Sequence, residues 1–231
     1  MLYDPTCCRL IQGISPRAHA RHPAAGRWVG WTLVNSHYFT SPEGPGRRRT
    51  LTITLRGTQV QVQVDSGVFS ADRLDPGTTV LLETVGDPPP SGTLLDLGCG
   101  WGPIALALAR ASPAARVLAV DVNDRALELT RLNGAGHHIE AWRPEELLAV
   151  EPDLRLDALW SNPPIRIGKP ALHQLLRTWL PRLRPGALAH LVVAKNLGSD
   201  SLQRWIGAEL GLPVERVASS KGFRVLQVQG A

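Results

Sequence analysis

The sequence predicts an α/β protein: a Rossmann-like, doubly wound sheet of seven strands with a C-terminal antiparallel hairpin, preceded by a small N-terminal β-hairpin segment. Three observations carry this. From residue 93 onward, short apolar runs alternate with helical patterns. The runs are apolar on both faces, as strands are when helices cover both sides of a parallel sheet. The last two runs, 214–218 and 223–228, are joined by Ser219-Ser220-Lys221-Gly222, a connection too short for parallel neighbours.

Residues 1–36 show no periodicity and mix Pro, Gly, Arg, His and Ala with Trp28 and Trp31. They read as a loosely ordered extension, or as sequence upstream of the true start. Residues 37–91 form a second segment. There, 50–55 and 59–64 each alternate with period 2, and Arg56-Gly57-Thr58 supplies the turn of a hairpin with one apolar face. Asp75-Pro76-Gly77 signals a turn, and 78–85 suits a short helix. The run from Gly86 to Gly92, with three consecutive prolines, reads as a stiff linker and domain boundary. Residues 92–231 form the third segment, with strands near 93–97, 116–120, 138–142, 156–160 and 187–194. Helices are predicted over 103–111, 124–134, 145–150, 170–183 and 199–210.

The chain has 231 residues, 43% apolar and 19% charged, which excludes wholesale disorder. No apolar run approaches the ~18–20 residues of a membrane span. The N-terminus lacks the basic and apolar regions of a secretory signal. The three cysteines make neither a disulfide framework nor a metal set. These features lead us to expect a soluble, cytoplasmic protein that needs no metal and no membrane. Residues 1–60 hold eight arginines against two acids, while the other 171 hold 17 basic and 18 acidic residues. An arginine fork fits phosphate and stacks on bases, which suits RNA. A solvated tail from a GC-rich genome has the same composition, and charge alone leaves both readings open.

The chemistry concentrates at two places. The first is Asp96-Leu97-Gly98-Cys99-Gly100-Trp101-Gly102-Pro103, which follows a strand and opens a helix. Gly98 and Gly100 allow a tight turn and close backbone approach. Asp96, just before the first glycine, would repel a pyrophosphate at the helix N-terminus and attract a cation. Asp121, at the end of the next strand, can accept both hydroxyls of a ribose. Together the two acids select an adenosine-type cation, S-adenosylmethionine, over a dinucleotide. Cys99 reads as a small filler in the loop, with no partner base in evidence.

The second place is Asn162-Pro163-Pro164-Ile165, after the fourth strand of the sheet. Two prolines fix the backbone and remove two N–H donors, leaving an acceptor-rich turn. Such a turn would grip an NH2 group and aim its nitrogen lone pair, a gain that lies mostly in positioning. An ordinary Asn-Pro turn is the plain alternative. Its place opposite the glycine loop favours function.

Together Asp-x-Gly-x-Gly, Asp121-Val122-Asn123 and Asn162-Pro163-Pro164 resemble a class I S-adenosylmethionine-dependent N-methyltransferase. The finer resemblance is to the "methyltransferase small" family. It is similar to the catalytic part of the rRNA small subunit methyltransferase C type, which acts on guanine N2. His37-Tyr38-Phe39, Asp65–Ser70, Leu74–Thr78, Asn162–Lys169 and Lys221-Gly222-Phe223 also match, so the likeness spans about residues 37–229.

The resemblance implies cofactor contacts from Asp96, Gly98, Cys99 and Gly100 at the methionine end. Asp121, with Val122 and Asn123, would hold the ribose. Glu145, or its rival Glu146, would hold the adenine amino group. Asn162, Pro163, Pro164 and Ile165 form the catalytic tetrad, with Asn162 also facing the cofactor. Arg166 and Lys169 border the cleft as contacts to substrate phosphate, and Arg47, Arg48 and Arg49 are further candidates. Ile165 departs from the Phe or Tyr usual in the family, so base stacking must come from elsewhere or be weaker. Upstream of the methyltransferase segment lies only a hairpin, where larger members carry a second, degenerate copy of the fold.

The expected partner is ribosomal RNA or the small ribosomal subunit. Rival readings are methylation of adenine N6 or of a protein glutamine amide. A further rival is a non-catalytic nucleoside-binding module with the same fold.

Overall fold

The computed structural model describes residues 46–231. The expectations for residues 1–36, and for 37–45, lie outside the described residues.

The described residues open with a hairpin of β1 (Arg49–Leu55) and β2 (Thr58–Val64), antiparallel in the register Ile53↔Val60 and Leu55↔Thr58. The two-residue turn takes positive φ at both positions, Arg56 at 46° and Gly57 at 82°. That geometry matches the twist of the flanking strands. Period-2 alternation sends Ile53, Leu55, Val62 and Val64 to one buried face. Each such burial stabilises the fold by roughly 1.5–3 kcal/mol. A strap, residues 65–75, then leads into α1 (Pro76–Thr84). Its N-cap is Asp75, whose side chain accepts from the Thr78 N–H at 3.0 Å.

The rest follows strand–helix alternation: β3 (Ser91–Leu97), α2 (Pro103–Ala111), β4 (Ala114–Val120), α3 (Asp124–Asn133), β5 (Ile139–Trp142) and α4 (Pro144–Val150). Then come β6 (Leu156–Ser161), α5 (Lys169–Trp179), β7 (Leu183–Ala194), α6 (Ser199–Leu210), β8 (Val214–Ser220) and β9 (Phe223–Gln229). The predicted helix over 170–183 stops at Trp179. Pro181 lacks the N–H that would continue it, and a 3₁₀ turn, Leu180–Arg182, takes over.

The seven strands lie in the order β5-β4-β3-β6-β7-β9-β8. The first five are parallel, and β9 runs antiparallel to both β7 and β8. The anticipated C-terminal hairpin is therefore present, turning at Lys221-Gly222 with φ of 49° and 81°.

Two apolar cores flank the sheet, because successive strand residues point to opposite faces. Leu94, Val117 and Trp160 face one core, together with α1, α2, α3 and the buried face of the hairpin. Leu95, Leu118 and Leu159 face the other, with α5 and α6. The hairpin thus shares a core with the sheet across the Pro88–Pro90 stretch. Arg56 reinforces this by donating to the Val85 carbonyl at 3.0 Å and lying 5.8 Å above the Trp160 ring. Among the described residues, no helix is long and apolar enough to cross a membrane.

Candidate active site

The sheet grows outward in both directions from the β3–β6 pair, so that pair is the topological switch point. Ligands of open α/β sheets bind outside the carboxyl ends of the strands at such a point. The register Leu97↔Ser161 makes the next residues, Gly98 and Asn162, leave the sheet side by side. Ser161 fixes this by donating from Oγ to the Leu97 carbonyl at 2.6 Å. A Cβ placed on Gly98 would lie 3.8 Å from Cδ of Pro164. The glycine loop and the tetrad therefore face each other.

Asp96 lies one residue before the end of β3, on the α2 side, and is fully buried. Its Oδ2 accepts from the Ala105 N–H at 2.9 Å, satisfying one free donor of the first turn of α2. Its Oδ1 has no partner among the described residues. Burial pushes this carboxyl up to about 8; the Ala105 bond opposes that, and nearby Asp121 adds to it. One oxygen thus caps α2 while the other stands unpaired in the interior.

Asp121 follows β4. Its Oδ2 accepts from Gly100 N–H at 2.9 Å and its Oδ1 from Asn123 N–H at 3.0 Å. Each oxygen keeps a second lone pair for a hydroxyl. Burial raises this carboxyl too, against the pull of its backbone hydrogen bonds. Two buried acids held toward neutrality mark a crevice that a bound cation would relieve.

The loop between them leaves room for a ligand: Gly100 (φ 56°) has no atom within 4 Å of where a Cβ would stand. Cys99 is a buried filler of the loop, as its sequence context suggests, and its polar groups are engaged within the protein. Its N–H goes to the Val120 carbonyl, its C=O to the Gly102 N–H, and its buried Sγ rests 3.4 Å from Thr130 Oγ1. Burial, with Asp121 and Asp96 nearby, raises its thiol well above the ordinary range. Asn123 is likewise a structural residue. It caps α3 by accepting from the Arg125 and Ala126 N–H groups, and donates to the Gly67 carbonyl at 3.2 Å. Val122 stands half-buried between the two.

Asn162 is half-buried, and its amide is held from one side. Nδ2 donates to Asp75 Oδ2 at 2.7 Å and lies 3.1 Å from Thr78 Oγ1. Pro163 is buried and Pro164 half-buried. Ile165 is half-buried, starts a 3₁₀ turn, Ile165–Ile167, and packs in part against the core that α5 lines. Arg166 and Lys169 are exposed just beyond it. Glu145 is exposed in the first turn of α4, with Arg143 Nη1 3.7 Å away.

The arginine run lines a groove of about 750 Å³ with Ser66, Gly67, Ser70 and Arg73. Arg48 pairs with Glu128 at 2.6 Å and Arg49 with Asp72, so part of its charge is already matched. Arg47 and Arg73, also exposed on this groove, add to its positive charge.

Sequence reading missed the parts that tie the two halves together. Thr130 and Asn133, on the inner face of α3, hold the loop by donating to Gly100 O at 3.0 Å and Trp101 O at 2.8 Å. Trp101 is buried and donates to the Ser70 carbonyl of the strap at 3.2 Å. The strap thus touches Asn123 through Gly67, Trp101 through Ser70, and Asn162 through Asp75. Polar residues spaced on the inner face of α3 were the available signal.

Residues 59–227 match the family described as methyltransferase small domain. The chain belongs to the methyltransferase small domain family. Among curated relatives, this methyltransferase is 28% identical over 200 residues to the uncharacterized protein YbxB of Bacillus subtilis, covering 85% of the chain and 99% of YbxB. It is 34% identical over 203 residues to the ribosomal RNA small subunit methyltransferase C of Ectopseudomonas mendocina, covering 84% of the chain but 59% of that relative. The chain thus spans a little over half the length of that larger enzyme. Among solved structures, the 16S rRNA N2 methyltransferase RsmC of T. thermophilus, in complex with AdoMet and guanosine, superposes with a TM-score of 0.69 at 23% identity. That match covers 82% of this chain and 52% of the other, and it shows a shared fold.

Proposed function

We propose that this methyltransferase transfers a methyl group from S-adenosylmethionine to guanine N2 in small-subunit ribosomal RNA. The observation that carries the reading is the placement of Asn162. Its NH2 end is occupied by Asp75 and Thr78, and the tetrad abuts the glycine loop. Oδ1 is thereby left to accept a hydrogen from an acceptor amine beside the donor.

The residues fit the cofactor. The orphaned Oδ1 of Asp96 would carry negative charge once a cation favours its ionised form, Gly100 leaves space for close approach, and Asp121 has acceptor capacity for a ribose hydroxyl. Bound there, S-adenosylmethionine supplies a methyl group on a sulfonium. The amine nitrogen would take that methyl group while the C–S bonding pair stays on sulfur, and the surplus proton would pass to solvent.

The protein's part is orientation. Asn162 Oδ1, with the carbonyls of the two-proline turn, accepts from the amine hydrogens. The exocyclic nitrogen becomes more pyramidal, and its lone pair turns toward the methyl group. Gly98, facing Pro164, leaves room between glycine loop and tetrad for donor and acceptor to meet.

Guanine and ribosomal RNA are supported by the likeness to methyltransferase C relatives and by the arginine-lined groove. Arg166, Lys169, Arg47 and Arg73 would contact the phosphates. Phe69, 48% exposed on the strap between Gly67 and Ser70, is the exposed aromatic among the described residues. It offers the π face that Ile165 lacks.

The test is incubation of the purified protein with methyl-labelled S-adenosylmethionine and separate rRNA and protein fractions from cells lacking the gene. Label in N2-methylguanosine is expected. Label in N6-methyladenosine or in a glutamine amide would replace the acceptor. The aliphatic Ile165 at the end of the tetrad favours the glutamine reading as the second choice, because that acceptor needs no stacking ring.

A further inference from the structure

We infer that Asp75 is the positioning residue of the transfer: it fixes which end of the Asn162 carboxamide meets the acceptor amine. The inference rests on the reading of Asn162 as the amine-gripping residue.

A carboxamide has two ends of similar shape and opposite function. The oxygen accepts hydrogen bonds, and the nitrogen donates them. To hold an incoming NH2 group, Asn162 must present Oδ1. A half-turn about its last side-chain bond would present Nδ2, which can only meet the amine donor to donor. Nothing in the two-proline turn itself decides between these orientations.

Asp75 decides it. Its carboxylate, on the strap 87 residues away in sequence, can only accept, and Oδ2 lies 2.7 Å from Nδ2 of Asn162. The flipped amide would bring two acceptor oxygens together at that distance. Thr78 Oγ1, at 3.1 Å from the same nitrogen, serves its other hydrogen. With both amide hydrogens engaged, Oδ1 is the end left for the cleft. Hydrogen bonding to a carboxylate also polarises the amide, so that Oδ1 becomes a better acceptor.

Asp75 is itself held in place. Oδ2 accepts from the Thr78 N–H at 3.0 Å as the N-cap of α1. Thr78 is buried, 3% exposed. Gly77 leaves the space this requires, since a Cβ there would stand 2.9 Å from Asp75 Oδ2 and 3.0 Å from the Phe223 ring. One carboxylate oxygen therefore couples the start of α1 to the catalytic turn after β6.

The test separates the cap from the clamp. Asp75→Ser keeps a good N-cap but is too short to reach Asn162. Asp75→Asn keeps an oxygen of the right reach. Single-turnover transfer is measured with methyl-labelled S-adenosylmethionine and small ribosomal subunits from cells lacking the gene. Cofactor affinity is measured by calorimetry, and stability by thermal unfolding.

Asp75→Ser should slow transfer by about 10²-fold while cofactor affinity and Tm stay near wild type, and Asp75→Asn should recover most of the rate. In the ¹⁵N spectrum of the cofactor-free protein, the Asn162 NH2 hydrogens should exchange slowly in wild type and fast in Asp75→Ser. Unchanged exchange and unchanged rate in Asp75→Ser would overturn the inference. So would a rate loss matched by an equal loss of cofactor affinity, which would make Asp75 a cofactor ligand instead. The exchange measurement needs no acceptor. If wild type methylates no RNA yet exchange responds to Asp75→Ser, the acceptor assignment fails while the clamp stands.

Discussion

Gly98 and Pro164 stand against each other across the crevice: a methyl group added at Gly98 would reach to 3.8 Å from Cδ of Pro164. These residues come from different strand ends, after β3 and β6, and face each other across the space proposed for donor and acceptor. Gly98 also has a φ of 77°, which a side chain resists. Gly98→Ala should therefore weaken S-adenosylmethionine binding by about tenfold or more and cost about 1–2 kcal/mol of stability. Calorimetry and thermal unfolding check both; unchanged affinity would remove Gly98 from the cofactor path.

Asp96 sets a pH dependence with a definite sign. Burial raises its folded-state value to about 8, far above that of an unfolded chain. The folded protein therefore holds a proton that the unfolded chain gives up, and the contribution is complete below about pH 4. Stability of the cofactor-free protein should fall as pH climbs from about 4 through 8. A bound cation favours the ionised form, so cofactor affinity should rise over the upper part of the same range by up to about tenfold per pH unit. Asp96→Asn should flatten both slopes. Titration calorimetry between pH 6 and 8.5 reads the effect, and slopes equal in wild type and variant would contradict it.

Cys99 makes a contrasting prediction. Its thiol is buried against Thr130 with its backbone fully engaged, so it fills space and performs no chemistry. Cys99→Ala should keep cofactor affinity and transfer rate within about twofold, at a cost of about 1 kcal/mol in stability. In the folded protein, Cys99 should resist thiol reagents. A large rate loss in Cys99→Ala would restore a role for the sulfur.

Much of this was legible in the chain, and the reasons are local. Each sheet strand was readable because doubly apolar runs bounded by Gly, Pro and Asp leave few alternatives, as at Leu94–Leu97. Asp96, Gly98 and Asp121 were readable because strand-end residues before a helix meet at the same edge of a parallel sheet. Asp75 was not: its Asp-Pro-Gly turn is an ordinary helix start, and its bond to Asn162 spans 87 residues. Nor was the packing of half-buried Ile165 against the α5 core, which depends on which way a loop side chain rotates, and periodicity does not encode that. Cys99 was readable as a small filler, and its burial agrees.

Phe69 carries the acceptor side of the account. If its exposed ring stacks on the target base, Phe69→Ala should raise the KM for RNA by about tenfold, since stacking contributes about 1–3 kcal/mol per base. Cofactor affinity should not change, and Phe69→Trp should restore binding. Steady-state kinetics with varied RNA distinguish this from a general loss of activity; an unaltered KM would leave the base without an aromatic partner.

In the proposed reaction one crevice holds a positively charged methyl donor beside the amide of Asn162, and a crystal structure with S-adenosylmethionine bound is the decisive test. The ribose is expected on Asp121, the methionine portion over Gly98 and Gly100, and the transferable methyl group directed at the space in front of Asn162 Oδ1. A donor bound on any other surface, or one whose methyl group points away from Asn162, would contradict it.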